Sequence, residues 1–153
     1  CWVHARRKFY EAKEHGKEAY EVMGYIAKLY EADKKYRSWI AKSSHPSEAI
    51  IYYRKRYSRP IYKELGKLLR TLQKKNNTTK QPLGAAISYT LNQWQKLGRT
   101  ISSNPYDLDN NAAERSVRPL KLGMKNWMFI GADQAGWRSA VIYTMIENIY
   151  LSV

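Results

Sequence analysis

The chain has 153 residues, 44% of them hydrophobic and 13% aromatic, enough to build the core of one domain and too apolar for a disordered chain. Lysine and arginine number 27 against 13 acidic residues, a net charge of +14 that calls for a polyanionic partner. No long apolar run and no charged-then-apolar leader occurs, and a lone cysteine cannot form an internal disulfide, so neither a membrane partner nor an oxidising compartment is expected and the cytoplasm is the default.

The charge is unevenly spread. Residues 1 to 102 hold 22 basic and 8 acidic residues, whereas residues 103 to 153 hold 5 of each. The chain opens on Cys1 rather than methionine and reads as a piece of a longer protein. Its first four residues, "CWVH", alternate in bulk and suggest the end of a strand, after which the pattern turns helical. Between Glu18 and Ile40 the residues Val22, Ile26, Leu29, Tyr36 and Ile40 recur at three, four or seven, one face of a helix. "SSHPSE" then stops one element and restarts another, with Pro46 suited to a first turn.

From about Pro46 to Lys75 an apolar stripe, Tyr53, Tyr57, Ile61, Leu65, Leu68 and Leu72, predicts a helix. Lys55, Arg59, Lys63, Lys67, Arg70 and Lys74 follow the same rhythm two residues later, roughly 200° round the wheel, and form a basic stripe opposite. Pro60 should kink this helix, since it removes one donor and crowds the carbonyl of Arg56. "KKNNTTKQP" reads as a polar loop, and Pro82 to Ile101 as one further helix with Leu83, Ile87, Leu91, Trp94 and Leu97 inward.

The stretch "DNNAAERSVRPLKLGMKNWMFIG" carries the chemistry. Asp109 can cap a short helix from Asn110 that stops near Arg118, because Pro119 cannot continue the ladder; Gly123 closes the unit. "KNWMFIG", short, aromatic and bounded by glycine, predicts a strand, and Trp137 to Leu151 a helix apolar nearly all round, packed on two sides. Asn110, Glu114, Arg118 and Lys121, at steps of four, four and three, share a face if the helix runs on, with Arg115 beside them. A carboxylate among cations stays ionised, as a metal ligand must, and Mg²⁺ can bridge it to phosphates that the cations grip. Spacing alone equally permits an ion pair between Glu114 and Arg118 on a solvated helix.

The segment "DLDNNAAERSVRPLKLGMKNWMFIGADQAGWRSAVIYTMIENIYL" resembles the C-terminal signature of the insertion-sequence sixty-six family of transposases, and "CWVHARRKFYEA" resembles the family's segment after its second catalytic aspartate. The helical middle has the size of the family's insertion. The resemblance implies a DDE-type transposase with an RNase H-like catalytic fold, in which two aspartates and a glutamate hold two divalent metals, Mg²⁺ or Mn²⁺, for DNA strand cleavage and transfer. Glu114 would be the third acid and a metal ligand, the two aspartates would lie upstream of Cys1, and this piece alone would be inactive. Glu114 and Lys121 also match the transposase pattern of a glutamate and a lysine separated by six residues. Asp107 and Asn110 stand where that pattern has a tyrosine and an arginine, which puts a phosphate-positioning role for Lys121 in doubt.

These readings together predict a mainly α chain that is the C-terminal fragment of an α/β RNase H-like domain with one or two short strands. Residues 1–102 would hold the end of a core strand and a basic helical insertion, and residues 103–153 the glutamate helix, a short strand and the closing helix. DNA, as transposon ends and target, is the expected partner, with self-association in an active complex and nucleoid association when bound. The basic stripe would contact the DNA backbone, since 54 to 80 holds ten basic residues against Glu64 alone; Arg6, Arg7, Arg115, Arg118, Lys121 and Asn110 would add contacts. The alternative is a non-catalytic basic helical DNA-binding module in which Glu114 is only an ion-pair partner. Cys1 and His4 make half of a zinc set without paired spacing, and Tyr53 and Tyr57 are placed in the core rather than on a base-stacking surface.

Overall fold

Trp2, Ala5, Phe9 and Ala12 recur at steps of three and four and are all fully buried, so the chain begins with a helix and not with a strand. The structure is a computed structural model that describes residues 1–40, 44–75, 81–102, 107–127 and 132–152. Helix α1 spans Trp2–Glu11, and a single 3₁₀ turn, Lys13–His15, leads into α2, Lys17–Ile40. The inward face of α2 is the expected one: Val22, Ile26, Leu29, Tyr36 and Ile40 are buried. The alternation seen in "CWVH" was too short to outweigh the helical spacing that Trp2 begins.

Helix α3, Pro46–Tyr53, a π-helical turn, Arg54–Ser58, and α4, Arg59–Lys75, follow one another without a break and cover the expected 46–75. The Arg59 N–H bonds the Arg54 carbonyl, five residues back, and Arg59 keeps helical angles of φ −61 and ψ −39. The wider turn immediately before Pro60 relieves the clash a proline makes with the carbonyl four residues behind it. It also shifts the buried face. Arg54, Ser58, Leu65, Leu69 and Leu72 point inward, whereas Tyr57, assigned to the core by an unbroken 100° wheel, is 49% exposed.

The expected helix over 82–101 is interrupted at Gln93, whose φ −94 and ψ 4 separate α5, Pro82–Asn92, from α6, Trp94–Ser102. Helix α1 packs on α2 and α5, and α4 packs on α2, α5 and α6. At their meeting point the Tyr62 and Trp94 rings stack 4.1 Å apart with 9° between planes, and Trp2 meets both edge-on at 6.1 Å. The Tyr62 hydroxyl donates to the Trp94 carbonyl at 2.8 Å, and Trp2 Nε1 donates to Thr100 Oγ1 at 3.1 Å. Gly66 and Gly98 allow this approach: a Cβ on Gly66 would lie 2.7 Å from the Trp94 ring, and one on Gly98 2.6 Å from the Tyr62 hydroxyl. A smaller cluster of Tyr36, Ile40 and Ile50 joins α2 to α3.

The chain divides into two compact units, Cys1–Asp109 and Asn110–Val153. The second holds α7, Asn111–Ser116, α8, Arg118–Trp127, and α9, Asp133–Ser152. Asn110, not Asp109, occupies the N-cap of α7, which ends before Arg118 at Val117. Pro119 falls in the first turn of α8, where its missing N–H has no partner to lose, and the helix runs through Gly123 instead of closing there. The strand expected over 125–131 is therefore overturned at its first three residues, which finish α8; residues 128–131 lie outside those described.

Every regular element among the described residues is helical, and no strand occurs. The expected α/β RNase H-like architecture with short strands is not what this chain shows. Both strand candidates were runs of four to seven residues, a length at which period alone does not separate strand from helix, and the described residues of each belong to a neighbouring helix: Trp2 to His4 open α1, and Lys125 to Trp127 finish α8. No described helix is long and apolar enough to cross a membrane.

Candidate nucleic-acid interface and the glutamate helix

The interface begins with the burial of one face of a helix. Leu65, Leu69 and Leu72 hold α4 on the core, so the residues opposite must face water. Lys55, Arg59, Lys63, Lys67, Arg70 and Lys74 are all exposed, as are Arg56 and Lys75. At ~1.5 Å per residue the row from Lys55 to Lys74 is roughly 28 Å long. Its upper part lines a hollow of about 370 Å³ formed by Lys55, Arg59, Pro60, Lys63 and Glu64. Lys67 bonds Glu64 at 2.8 Å on the open surface, where such a pair contributes little. The remaining cations leave the face strongly positive. Arg6 and Arg7 are exposed on α1, and Lys8 Nζ lies 5.7 Å over the Tyr89 ring.

What orients this helix is a buried polar network that the sequence pattern did not reveal. Asp33 occupies the inward position of α2 between Leu29 and Tyr36, and Arg54, fully buried, reaches it from the π turn. Arg54 Nε donates to Asp33 Oδ1 at 2.9 Å, and Nη2 adds a charge contact at 2.8 Å. Arg37 Nε donates to the other carboxylate oxygen at 2.6 Å, and its Nη2 lies 2.6 Å from Asp107. The Tyr36 hydroxyl donates to Asp33 Oδ1 at 3.1 Å, which leaves Ser58 as the donor in the 3.1 Å bond between Ser58 and Tyr36. Burial pushes the Tyr36 hydroxyl above its ordinary range, so it keeps the proton it donates. With Arg54 and Ser58 pinned inward on the π turn, Lys55, Arg56 and Tyr57 between them are turned outward. The seven-residue gap in the α2 stripe was the one available signal, since it marked a polar residue at a core position.

An aromatic cluster adjoins the network. Tyr53 lies nearly parallel to Tyr36 at 5.5 Å and to Tyr57 at 5.9 Å, and Trp39 meets Tyr53 edge-on at 6.0 Å. Tyr53 is partly buried, as expected for a core residue, but Tyr57 and Trp39 are open to solvent.

In the second unit Glu114 is exposed in the single short turn of α7, with its N–H bonded to the Asn110 carbonyl at 2.9 Å. Asn110, Arg115, Arg118 and Lys121 are exposed as well, and the turn at Val117 divides the stretch between α7 and α8, so the single uninterrupted helix on which a shared face was conditional is not present. Lys121 belongs to α8, its N–H bonded to the Val117 carbonyl at 3.1 Å. Asp107, one of the neighbouring acids, is engaged by Arg37. Along α9 the apolar side chains Trp137, Ile142, Met145 and Ile149 are exposed rather than packed on two sides, Trp137 at 71%. Cys1 Sγ lies 3.2 Å from His4 Nδ1.

The family described as "Transposase IS66 family" matches residues 1–138. Two uncharacterized proteins of Sinorhizobium fredii (strain NBRC 101917 / NGR234) are similar along nearly the whole chain: y4jD is 31% identical over 155 residues, covering 99% of this chain and 29% of its own length. The second, y4hP, is 28% identical over 169 residues, again covering 99% of this chain and 29% of that protein. The chain thus spans under a third of the length of these relatives. No solved structure matches it. With the match extending from Cys1 through the basic helices and Glu114 to Arg138, the chain belongs to the IS66 family of transposases.

Proposed function

We propose that this chain grips DNA by its phosphates through the exposed face of α4 and supplies, in Glu114, one acid of the site at which a DDE transposase cleaves and joins strands. The observation that carries the first half is the unbroken row Lys55, Arg59, Lys63, Lys67, Arg70 and Lys74, exposed on a helix whose other face is held in the core. Cations spaced along a rigid rod neutralise successive phosphates without reading bases, so the contact positions DNA and does not select its sequence. Arg6, Arg7, Arg115, Arg118 and Lys121 are the supporting cations in this reading.

Glu114 supports the second half as a solvent-accessible carboxylate in a turn flanked by arginines. It is the hard oxygen donor that Mg²⁺ or Mn²⁺ takes. A divalent cation there, when bound, polarises phosphate oxygens as a Lewis acid. One carboxylate is short of the set a metal pair needs, and the reading assigns the other acids to the parent protein. Glu114 would hold the ion, Arg115 and Arg118 would offset phosphate charge, and Asn110 would donate to a phosphate oxygen.

The test has two arms. In the 153-residue chain, replacing Lys55, Arg59, Lys63 and Lys74 by glutamine should weaken duplex DNA binding and flatten its salt dependence by roughly 0.9 for each phosphate no longer neutralised. An unchanged slope would remove the basic face from the reading. In the full-length parent protein with its transposon-end DNA and Mn²⁺, Glu114→Gln should abolish cleavage while binding persists. Equal cleavage in both proteins would leave only a basic DNA-binding module.

A further inference from the structure

The outward side of the π turn holds a feature that phosphate binding does not use. Trp39 is 54% exposed and Tyr57 49%, although the Tyr53 ring between them in the cluster is largely covered. They border a second hollow, about 120 Å³, lined by Ala32, Lys35, Tyr36, Trp39 and Tyr57. That is several times the room one water molecule requires. Three aromatic side chains, Tyr36, Trp39 and Tyr57, line it and its edge is cationic: Lys35 lines it, and the Arg56 guanidinium stands 5.8 Å over the Tyr57 ring. The site is also held from behind. Tyr36 is fixed by hydrogen bonds to Asp33 and Ser58 and is parallel to Tyr53, which is parallel to Tyr57.

Resting on the DNA-binding reading above, we propose that this aromatic hollow is a stacking site for an unpaired base of single-stranded DNA. A flat π face beside fixed cations suits a base and its phosphate together, and stacking is tolerant of base identity. Arg56 follows the basic row's Lys55 and reaches the Tyr57 ring, and Lys35 lines the hollow, so cations for the phosphate of a stacked nucleotide stand at the site itself. A second copy of this chain would bring another excess of positive charge to a patch already edged by Lys35 and Arg56, and charge complementarity therefore favours the nucleic acid. In a duplex the bases are stacked on one another and the hollow has nothing to receive.

The experiment measures binding of the 153-residue chain to a single-stranded oligothymidylate and to a duplex of equal length, by fluorescence anisotropy at one salt concentration. Tyr57→Leu and Trp39→Leu should each lower single-strand affinity by roughly 10- to 100-fold and leave duplex affinity unchanged, whereas Tyr57→Phe, which keeps the ring, should behave as wild type. Equal losses on both DNAs, or none on the single strand, would overturn the proposal. So would a change in light-scattering mass with unaltered single-strand affinity, which would make the patch a contact between copies. Photo-crosslinking of a 5-iodouracil oligonucleotide to the wild-type chain is independent of any variant: adducts at Tyr57 or Trp39 are expected, and adducts confined to other aromatic residues would refute the site. Failure of the basic-face variants on duplex DNA, with the ring effect on single strands intact, would instead sink only the phosphate-row reading.

Discussion

Removing Asp33 tests the claim that a buried ion pair sets the rotation of the helix that carries the basic row. Asp33→Ala takes the carboxylate from the fully buried Arg54 guanidinium, and takes one of their partners from Arg37 and the Tyr36 hydroxyl, which keep Asp107 and Ser58. Breaking a buried pair from one side costs about 3 to 5 kcal/mol, because the remaining charge keeps its desolvation penalty and loses its partner. Against a total stability of about 5 to 15 kcal/mol that is a large fraction. Urea unfolding followed by circular dichroism should therefore show a much lower midpoint at an unchanged slope. The double variant Asp33→Leu with Arg54→Met should recover most of the loss, since it removes both charges and keeps volume in the core. It should not restore DNA affinity fully, because the charge contact between α2 and the π turn is then gone and only the Tyr36–Ser58 hydrogen bond still sets the direction of the cations beside it. A loss under about 1 kcal/mol for Asp33→Ala would refute the reasoning, as that is the scale of an exposed pair.

Two glycines should respond with opposite signs. Gly66→Ala, with its new Cβ 2.7 Å from the Trp94 ring, should cost about 1 to 3 kcal/mol, whereas Gly24→Ala, exposed on α2 with nothing within 4 Å, should gain up to about 1 kcal/mol; thermal unfolding separates them. The Tyr62 hydroxyl is pushed up to about 12 by burial, with the Arg70 charge acting the other way. The folded state holds this proton more tightly than the unfolded chain, so its contribution is full below pH ~10 and disappears as the pH rises to ~12. Urea midpoints between pH ~9 and ~12 should fall less steeply in Tyr62→Phe; an identical fall would exclude Tyr62 as a source. The exposed apolar side chains of α9 predict self-association: Trp137→Ser with Ile142→Ser should lower the light-scattering mass, and an unchanged mass would dissociate that face from assembly.

Periodicity along the chain was sufficient for the helices whose inward face is wholly apolar. The stripe on α2, the span from Pro46 to Lys75 and the exposure of the basic row all follow from spacing, because a helix that buries leucines on one side must turn the lysines opposite to water. The family was legible as well, from long segments at the two ends. Short runs were not: "CWVH" and "KNW" carry no period of their own, and each joined the helix beside it. Pro119 gave the end of the glutamate helix just before Arg118, but not that a second helix starts there at once and runs through Gly123.

Only the tertiary structure decided which residues of the π turn face inward. Asp33 and Arg54 are 21 positions apart, and neither is marked as buried by its type; their pairing exists only when α2 and the π turn are packed together. That pairing, with Ser58 on Tyr36, sends Tyr57 outward and turns a predicted core tyrosine into part of a surface. Amino-acid order determined the charge, the helices and the family, since these depend on local period and composition. The direction of the side chains at the interface was settled by a buried electrostatic contact between distant segments, which no local pattern encodes.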